Sequence, residues 1–208
     1  MNHRDLTTLG AGFGNEALGS QAVFRHALEA LSHPGRLVDV VHDATVPAPG
    51  HAASAALLLA MLDSDCTLWL SPKLGASDTA LWLHFHTGCQ IVTDVSQAQF
   101  LWIALGDATP ALTALAQGTD AYPDQSATCV IDVMALNDAR ASNPDWTLRG
   151  PGIQTQQQVG VQGLDAGFVA QWTANQTRFP SGVDVFLATP HQLMGLPRTT
   201  FISTDGGH

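Results

Sequence analysis

"ATCVIDVMAL", residues Ala127–Leu136, is the stretch that decides the fold class. Apart from Thr128 and Asp132, every residue in it is apolar. A strand with one face in water alternates polar and apolar side chains, whereas a strand buried on both faces does not. This stretch is therefore predicted to be a central strand of a sheet that is covered on both faces.

Helices and short apolar runs alternate outward from this strand. Upstream, helical spacing predicts helices at 20–32, 51–63, 78–88 and 111–117, and strands are predicted at 36–41, 66–70, 89–92 and 99–105. Downstream, a polar strand or loop is predicted at 154–163, a helix at 168–176 and a strand at 182–189. This alternation favours an α/β protein with a mixed, mostly parallel sheet in a single three-layer domain covering residues 1–208.

Local signals set the ends of these helices. Ser20 is predicted to cap the first helix, Ser77 the third, and Thr109 with Pro110 is predicted to open the fourth. Gly88 and Gly118 are predicted to end the third and fourth helices. "SHPG", residues 32–35, is predicted to end the first helix, because Pro34 disfavours a helical His33 and Gly35 allows the chain to reverse.

Composition excludes several classes of function. The formal net charge of -10 opposes binding to nucleic acid or to an anionic membrane surface, since both are bound through an excess of Lys and Arg. The longest apolar run, residues 52–62, is too short to span a bilayer. The start has no secretory signal pattern, so a cytoplasmic protein is expected. Three widely spaced cysteines predict reduced core thiols.

No residue pattern predicts a catalytic or metal site. Gly10, Gly12 and Gly14 follow no predicted strand, so a mobile N-terminal arm over residues 1–15 is favoured over a dinucleotide loop. His84 and His86 diverge on a helix and could share a metal ion only on a strand. No G-x-S-x-G elbow occurs.

Lys73 in "SPKLG" raises a separate question about pyridoxal phosphate, because that cofactor requires a lysine for its Schiff base. A solvated loop lysine is favoured over a cofactor lysine at this position. We therefore expect no cofactor.

Four Gly/Pro/Arg turns remain: "SHPGR", "LRGPGI", "FPSGVD" and "GLPRTT". Glycine permits close backbone approach, proline stiffens a turn, and arginine can bind a carboxylate or phosphate through two parallel hydrogen bonds. The residues alone favour stiff structural turns over anion-binding turns. Arg36 and Arg198 are expected to be fixed by carboxylates or by a partner, and an internal clamp would make each Arg→Lys change cost about 1 to 3 kcal/mol.

These segments together resemble the PhnH family, the H subunits of the bacterial carbon-phosphorus lyase system. The resemblance rests on "GFGN", "SQAVFRHALEALSHPGR", "LLLAMLDSD", "FLWIALGD", "QGTDAYPDQSATCVI", "LRGPGI", "RFPSGVDVFL" and "GLPRTT", in this order along nearly the whole chain. It implies a fold similar to a pyridoxal-phosphate-dependent transferase domain that lacks the cofactor.

The resemblance also implies a role in phosphonate catabolism. With the G, I and L subunits, the H subunit would take part in displacing adenine from ATP by a phosphonate, which gives ribose 1-phosphonate 5-triphosphate. It implies a core complex with the G, I and J subunits and a homodimer of this chain inside it. The alternative is a stand-alone enzyme of α/β fold that acts on a small molecule.

The resemblance supplies no catalytic residue, cofactor or metal ligand. It singles out motif positions whose role is structural or partner-facing: Arg25, His33, Pro34, Gly35, Arg36, Gly150, Pro151, Gly152, Pro180, Gly182, Asp184, Pro197 and Arg198. His33 and Arg36 form a candidate pair that faces a partner or an anion, with a structural role as the favoured reading. The apolar run at 52–62 and the low charge content are taken as signs of assembly.

Overall fold

A computed structural model describes residues 9–138 and 145–204 of the chain. It has five α-helices in the described part: α1 (Glu16–Ser32), α2 (Ala52–Met61), α3 (Pro72–Gly75), α4 (Thr79–Thr87) and α5 (Phe168–Gln176). The strands are β1 (Val38–Asp39), β2 (Thr67–Leu70), β3 (Gln90–Ile91), β4 (Phe100–Ile103), β5 (Thr128–Asp132), β6 (Ala135–Asp138), β7 (Trp146–Arg149), β8 (Gln157–Gln162), β9 (Asp184–Ala188), β10 (Gln192–Leu196) and β11 (Phe201–Ser203).

Seven strands form a mixed sheet in the order β1-β10-β9-β5-β4-β2-β3. The five strands from β9 to β3 are parallel to one another. At the β9 edge, β10 pairs antiparallel with β9, and β1 pairs antiparallel with β10. The strand from the deciding stretch, β5, is the middle one of the seven, as predicted. The expected α/β class and the mixed, mostly parallel sheet are confirmed.

Both faces of this sheet are buried, because neighbouring residues of each strand enter different cores. On β4 and β5, Trp102 and Val130 pack with α1, α2 and α4, whereas Leu101, Cys129 and Ile131 pack on the opposite face. The second face is covered by α5 and by a small antiparallel sheet of order β11-β7-β8-β6. The polar segment around the glutamines forms β8 of this small sheet.

The N-cap of the first helix lies five residues earlier than predicted. Its N-cap is Asn15, whose side-chain oxygen accepts a hydrogen bond from the backbone N–H of Leu18 at 3.1 Å. Ser20 lies inside the helix, so its prediction as the cap is wrong. Asparagine caps a helix as well as serine does. The glycine-rich segment before the helix places Asn15, and not Ser20, at the capping position.

The helix predicted at 111–117 is absent, and only a 3-10 turn, Leu112–Ala114, forms there. Side chains replace the helical hydrogen bonds: Gln171 accepts from the N–H of Leu112, and Gln117 donates to the carbonyls of Leu112 and Leu115. Tertiary contacts therefore override a sequence of good helix formers. Gly118, predicted to end this helix, has a positive φ of 67° but no helix to end.

Residues 9–15 pack against the body of the protein. Leu9 and Phe13 contact the helical core, and the carbonyl of Gly10 accepts hydrogen bonds from Trp82 at 2.8 Å and His86 at 3.0 Å. The mobile arm expected over residues 1–15 is therefore not found for this part of it. Residues 1–8 of that prediction lie outside the described residues.

Helix α2 is buried within this chain: residues 53–58 are all buried. The predicted buried helix is confirmed, but its apolar surface faces the protein's own core, so it gives no support for an assembly surface. Within residues 9–138 and 145–204, none of the helices has both the length and the apolar character needed to cross a membrane.

Candidate functional site

The four Gly/Pro/Arg turns, which are far apart in sequence, meet at one end of the molecule. We call them the turn cluster and define it by residues 32–36, 149–152, 178–184 and 197–200. Backbone contacts at glycines link the first, second and fourth turns in series, and Arg198 links the fourth to the third. The sequence predicted each turn but not that they form one surface.

The first turn ends α1 as predicted. His33 is the C-cap, and Gly35 has a φ of 84°, which favours glycine. A Cβ atom at Gly35 would lie 2.6 Å from the Gln157 side chain and 2.9 Å from that of Leu148. This turn therefore packs directly on strands β7 and β8, and a residue other than glycine would displace it.

His33 and Arg36 both turn back toward α1. His33 Nδ1 lies 3.2 Å from the carbonyl oxygen of Glu29, and Arg36 Nη1 donates to the Glu29 carboxylate at 3.0 Å. The Arg36 side chain is 54% exposed and that of Glu29 is 43% exposed. Arg36 is thus paired with a carboxylate, as expected, but this pair lies at the surface instead of forming an internal clamp.

The second turn joins the first and the fourth. Gly150 has a φ of 141°, and a Cβ atom there would lie 2.8 Å from the carbonyl oxygen of Thr199. Gly152 has a φ of 84°, and its Cβ would lie 2.2 Å from the carbonyl oxygen of Ser32. Pro151 between them is exposed. Both glycines are required by positive φ and by close backbone approach.

Arg198, in the fourth turn, holds the third turn in place. Its guanidinium donates to both oxygens of Asp184, and Nη1 also donates to the carbonyls of Pro123 at 3.0 Å and Pro180 at 3.2 Å. Its Nη2 also donates to the hydroxyl of Ser126. The Arg198 side chain is only 13% exposed. A planar group with five donors suits this set of acceptors, which a lysine could not match.

Contacts with Gln117 and Asn175 hold Gly182 of the third turn in place. The N–H of Gly182 donates to the carbonyl of Gln117 at 2.8 Å, and a Cβ there would lie 3.0 Å from Asn175 Oδ1. The peptide bond before Pro180 is cis. In the fourth turn, the carbonyl of Pro197 accepts from the backbone N–H of Thr200 at 2.8 Å. These hydrogen bonds hold the two turns in place.

An open cleft of about 480 Å³ lies on the turn cluster, with largely apolar walls. It is lined by Pro151, Gln176, Thr177, Phe179, Arg198, Thr199 and Phe201. Phe179 and Phe201 are 62% and 59% exposed. Two exposed aromatic side chains in one largely apolar cleft beside tightly packed turns make this surface a candidate binding site.

Sequence reasoning missed Phe179 and Phe201 as site residues. Each follows or precedes a motif position, in "RFPSG" and "PRTTF". An aromatic next to a Gly/Pro turn gives a weak signal, because it is as common in a core as at a surface. Only the pairing of β11 with β7, which sets Phe201 opposite Arg149, brings them to one cleft.

Arg25 does not join the turn cluster. It lies on an exposed part of α1, two turns before the helix ends, and has no hydrogen bond or ion pair within the described part of the chain. The other motif positions from the sequence all fall within the turn cluster.

A second cleft, of about 340 Å³, lies at the carboxyl ends of the parallel strands, where α/β proteins commonly bind ligands. Its ionisable lining residues are Asp107, Asp132 and Asp165. The nearby Lys73 is neutralised by Asp107, since Nζ lies 3.5 Å from that carboxylate. This acidic cleft repels phosphate and phosphonate groups.

Asp132, at the end of the central strand, organises the wall of this acidic cleft. Its carboxylate accepts from the Ser54 hydroxyl at 2.5 Å, the His51 backbone N–H at 2.9 Å and the Trp102 indole N–H at 3.0 Å. Burial raises the pKa of Asp132, while these donors and the nearby His51 ring act against the rise. The three bonds tie α2 to β4 and β5.

Lys73 lies on the short helix α3 instead of in a loop, which corrects the predicted location. Its Nζ donates to the carbonyl of Leu105 at 2.8 Å. The amine is thus engaged by the backbone and by Asp107, and the side chain is 49% exposed. An exposed lysine whose amine is engaged by a backbone carbonyl and a carboxylate does not fit the requirement of pyridoxal phosphate for an amine held in a cleft.

The positions of the histidines and cysteines indicate structural roles. His84 and His86 lie on α4 and turn to different partners, the carbonyls of Cys89 and Gly10. The three cysteines are free thiols, and complete burial raises the pKa of Cys129 to about 12. Across the described ranges, no cluster of three or more His, Cys, Asp or Glu residues could hold a metal ion.

Comparison with known proteins shows strong similarity over almost the whole chain. Residues 11–203 match the family described as bacterial phosphonate metabolism protein (PhnH). A protein of Rhizobium meliloti (strain 1021), named alpha-D-ribose 1-methylphosphonate 5-triphosphate synthase subunit PhnH, is 35% identical over 193 residues, which is 93% of this chain and 94% of that protein. A protein of Stutzerimonas stutzeri, named putative C-P lyase subunit protein HtxG, is 32% identical over 93% of this chain and 90% of its own length.

Proposed function

Since this chain belongs to the PhnH family of bacterial phosphonate metabolism proteins, we propose that it acts as the H subunit of an alpha-D-ribose 1-methylphosphonate 5-triphosphate synthase. In this role it acts with the G, I and L subunits in the transfer of the ribose triphosphate of ATP to a phosphonate, which releases adenine. The cytoplasm, which holds ATP, is the expected compartment.

The observation that carries the proposal is the match over residues 11–203 to relatives that are named as subunits. The matched range includes every turn of the turn cluster. Tightly packed glycine turns, a buried arginine that holds two turns together and nearby exposed phenylalanines are features of a recognition surface.

The charge distribution supports a role in assembly over a role in substrate chemistry. ATP and phosphonates are anions, and the cleft at the carboxyl ends of the parallel strands is lined by three aspartates, one of which is paired with the nearby Lys73. Anionic substrates are usually bound by cationic side chains, metal ions or helix N-termini. We propose that the catalytic groups come from other subunits and that this chain completes the assembly, with G, I and J as partners in a core complex.

An omission experiment tests this function. The G, I and L subunits are mixed with ATP and methylphosphonate, with and without this chain, and adenine release is followed by chromatography. We expect release only when the chain is present. Adenine release at the same rate without it would contradict the proposal, and turnover of a small molecule by the chain alone would favour a stand-alone enzyme.

A further inference from the structure

We propose that the cleft on the turn cluster docks an acidic segment of a non-identical subunit, with an apolar side chain of that segment inserted between Phe179 and Phe201. This inference rests on the proposed function, because it names the kind of partner that the recognition surface binds. Three properties of the surface carry it: its apolar floor, its charge and an unsatisfied donor.

The apolar floor consists of Phe179, Phe201 and Pro151. Both phenylalanine side chains are more than half exposed, unlike the buried aromatic side chains of the core. Burying a large aromatic at a protein interface is a dominant source of binding energy. The backbone around these rings is fixed by the glycine contacts and by Arg198, so little ordering is needed on binding.

The charge of the surface is opposite to that of the chain as a whole. Arg36, Arg149, Arg178 and Arg198 all lie in the turn cluster, which gives this end half of the eight Lys and Arg residues of a chain with a net charge of -10. Arg36 and Arg198 are paired with carboxylates.

The other two arginines of the turn cluster keep their charge uncompensated. Arg149 donates to the Gln156 amide oxygen at 3.0 Å, and Arg178 donates to the Gln117 amide oxygen at 3.3 Å. Neither has a salt bridge within residues 9–138 and 145–204.

Each of these two arginines is a neighbour of one phenylalanine of the floor, by strand register or in the chain. Arg149 is the register partner of Phe201 on the neighbouring antiparallel strand, and such partners have their side chains on the same face. Arg178 directly precedes Phe179. An occupant with carboxylates on either side of an apolar side chain would match this pattern, and the charges would steer its approach.

An unsatisfied donor faces the same region. Gln176 lines the cleft, and its Nε2 is buried without a hydrogen-bond partner in the described part of the chain. A buried donor without a partner is unfavourable, because its hydrogen bond to water is lost and not replaced. A backbone carbonyl of a docked segment would satisfy it, as occurs when a peptide binds along a rigid surface.

The same charges argue against a second copy of this chain as the occupant. A two-fold symmetric contact centred on this cleft would bring the same surface from both copies together. Arg149 and Arg178 of one copy would then face the same two arginines of the other. Like charges across an interface oppose binding, so a non-identical, acidic segment fits better.

Binding of the purified chain to the purified G, I and J assembly tests the docking site. Phe179→Ala and Phe201→Ala remove the floor, and Arg149→Glu with Arg178→Glu reverses the charge. We expect each change to weaken binding by about tenfold or more, and the charge reversal to slow association and reduce its salt dependence. Circular dichroism melting of each isolated variant shows whether it is folded, and Arg149→Gln serves as a milder change.

Matched controls lie elsewhere on the surface. Phe85 is 55% exposed on α4 and Arg25 is exposed on α1, so Phe85→Ala and Arg25→Glu make the same chemical changes outside the turn cluster. We expect them to change the dissociation constant by less than about twofold, as is usual for residues outside an interface core. Equal weakening by the controls would overturn the proposal.

A photoreactive benzoylphenylalanine at position 179 or 201 identifies the occupant directly. In the assembled complex, we expect cross-links to a peptide of another subunit that has Asp or Glu near an aromatic or aliphatic residue. Cross-links to a second copy of this chain would overturn the proposal. ATP binding to the isolated chain that the same variants abolish, with assembly unchanged, would assign the cleft to a nucleotide instead.

The parent protein separates the two proposals. If the parent joins the G, I and J assembly and the cleft variants bind equally well, the docking site is wrong while the subunit function stands. If the parent itself does not join, the proposed function fails, and the docking inference fails with it.

Discussion

At the scale of single residues, Arg198 and Arg36 show how one residue type in similar turns takes two roles. Arg198 is nearly buried and binds Asp184, two backbone carbonyls and the Ser126 hydroxyl. Arg36 pairs with Glu29 at the surface. The sequence predicted that each would be fixed by carboxylates or by a partner, but burial decides the energy of such a pair, and burial depends on the whole fold.

We expect Arg198→Lys to lower the free energy of unfolding by about 1 to 3 kcal/mol, because lysine leaves part of the buried acceptor set unsatisfied. Arg36→Lys is the matched control and should change it by less than about 0.5 kcal/mol, as for exposed ion pairs. Urea unfolding measures both. Equal effects would show that Arg198 is not an internal clamp.

Asp132 gives a pH-dependent prediction at the same scale. Burial raises the pKa of Asp132 in the folded protein above the value of about 3.9 in an unfolded chain. The folded state therefore holds this proton more tightly. Its contribution to stability is complete below the unfolded pKa and is lost as pH rises through the folded pKa.

We expect Asp132→Asn to destabilise the protein by about 1 to 3 kcal/mol, because an amide has one oxygen for the three donors. The loss should be larger near pH 4 than at pH 7, since only the parent has the titrating group. Urea unfolding across this range, compared between the two proteins, isolates this residue. A loss that does not vary with pH would contradict the raised pKa.

At the scale of elements, the start of α1 shows what sequence could and could not predict. Helical spacing located the helix, and "SHPG" located its end, because proline and glycine act through local backbone sterics. The start depends on which of several good caps the preceding chain presents. The lost helix at 111–117 has a similar cause, since its competing partner Gln171 is far away in sequence.

Capping at α1 is testable by alanine substitution. We expect Asn15→Ala to lower the free energy of unfolding by about 1 kcal/mol, the typical loss for an N-cap. Ser20→Ala, inside the helix, should have little or no destabilising effect, because alanine is the better helix former. Thermal unfolding of the two variants decides between them, and a larger loss for Ser20→Ala would restore the predicted start.

The second turn of the cluster offers another comparison. Gly152→Ala would place a Cβ atom 2.2 Å from the Ser32 carbonyl oxygen and strain a φ of 84°, so we expect a loss of at least about 1 kcal/mol. Gly167, with no atom within 4 Å of its Cβ position and a φ of -83°, is the control and should tolerate alanine. Chemical denaturation tests this pair, and a harmless Gly152→Ala would show that the turns are not tightly joined.

At the scale of the whole molecule, apolarity and alternation predicted the α/β class and the place of β5 in the sheet. The small antiparallel sheet was not predicted, because its glutamine-rich strand has no apolar alternation strong enough to distinguish strand from loop. The turn cluster was predicted as four separate turns. The four turns form one cluster because distant segments of the chain pair as strands, such as β11 with β7.

The whole molecule is thus an acidic α/β protein in which four arginines and two exposed phenylalanines lie on or beside the turn cluster. Relatives that cover almost the whole chain are named as subunits of phosphonate enzymes. We propose that this chain works as part of such an assembly.

Co-elution tests that claim most directly. This chain is co-expressed with the G, I and J subunits, purified through a tag on G, and passed over a size-exclusion column with light-scattering detection. We expect one peak that contains all four chains in constant ratio, with a mass above that of the three-chain assembly. Loss of this chain at the affinity step, with its elution from the unbound fraction at its own mass of 21.9 kDa or a small multiple of it, would show that it does not work in such an assembly.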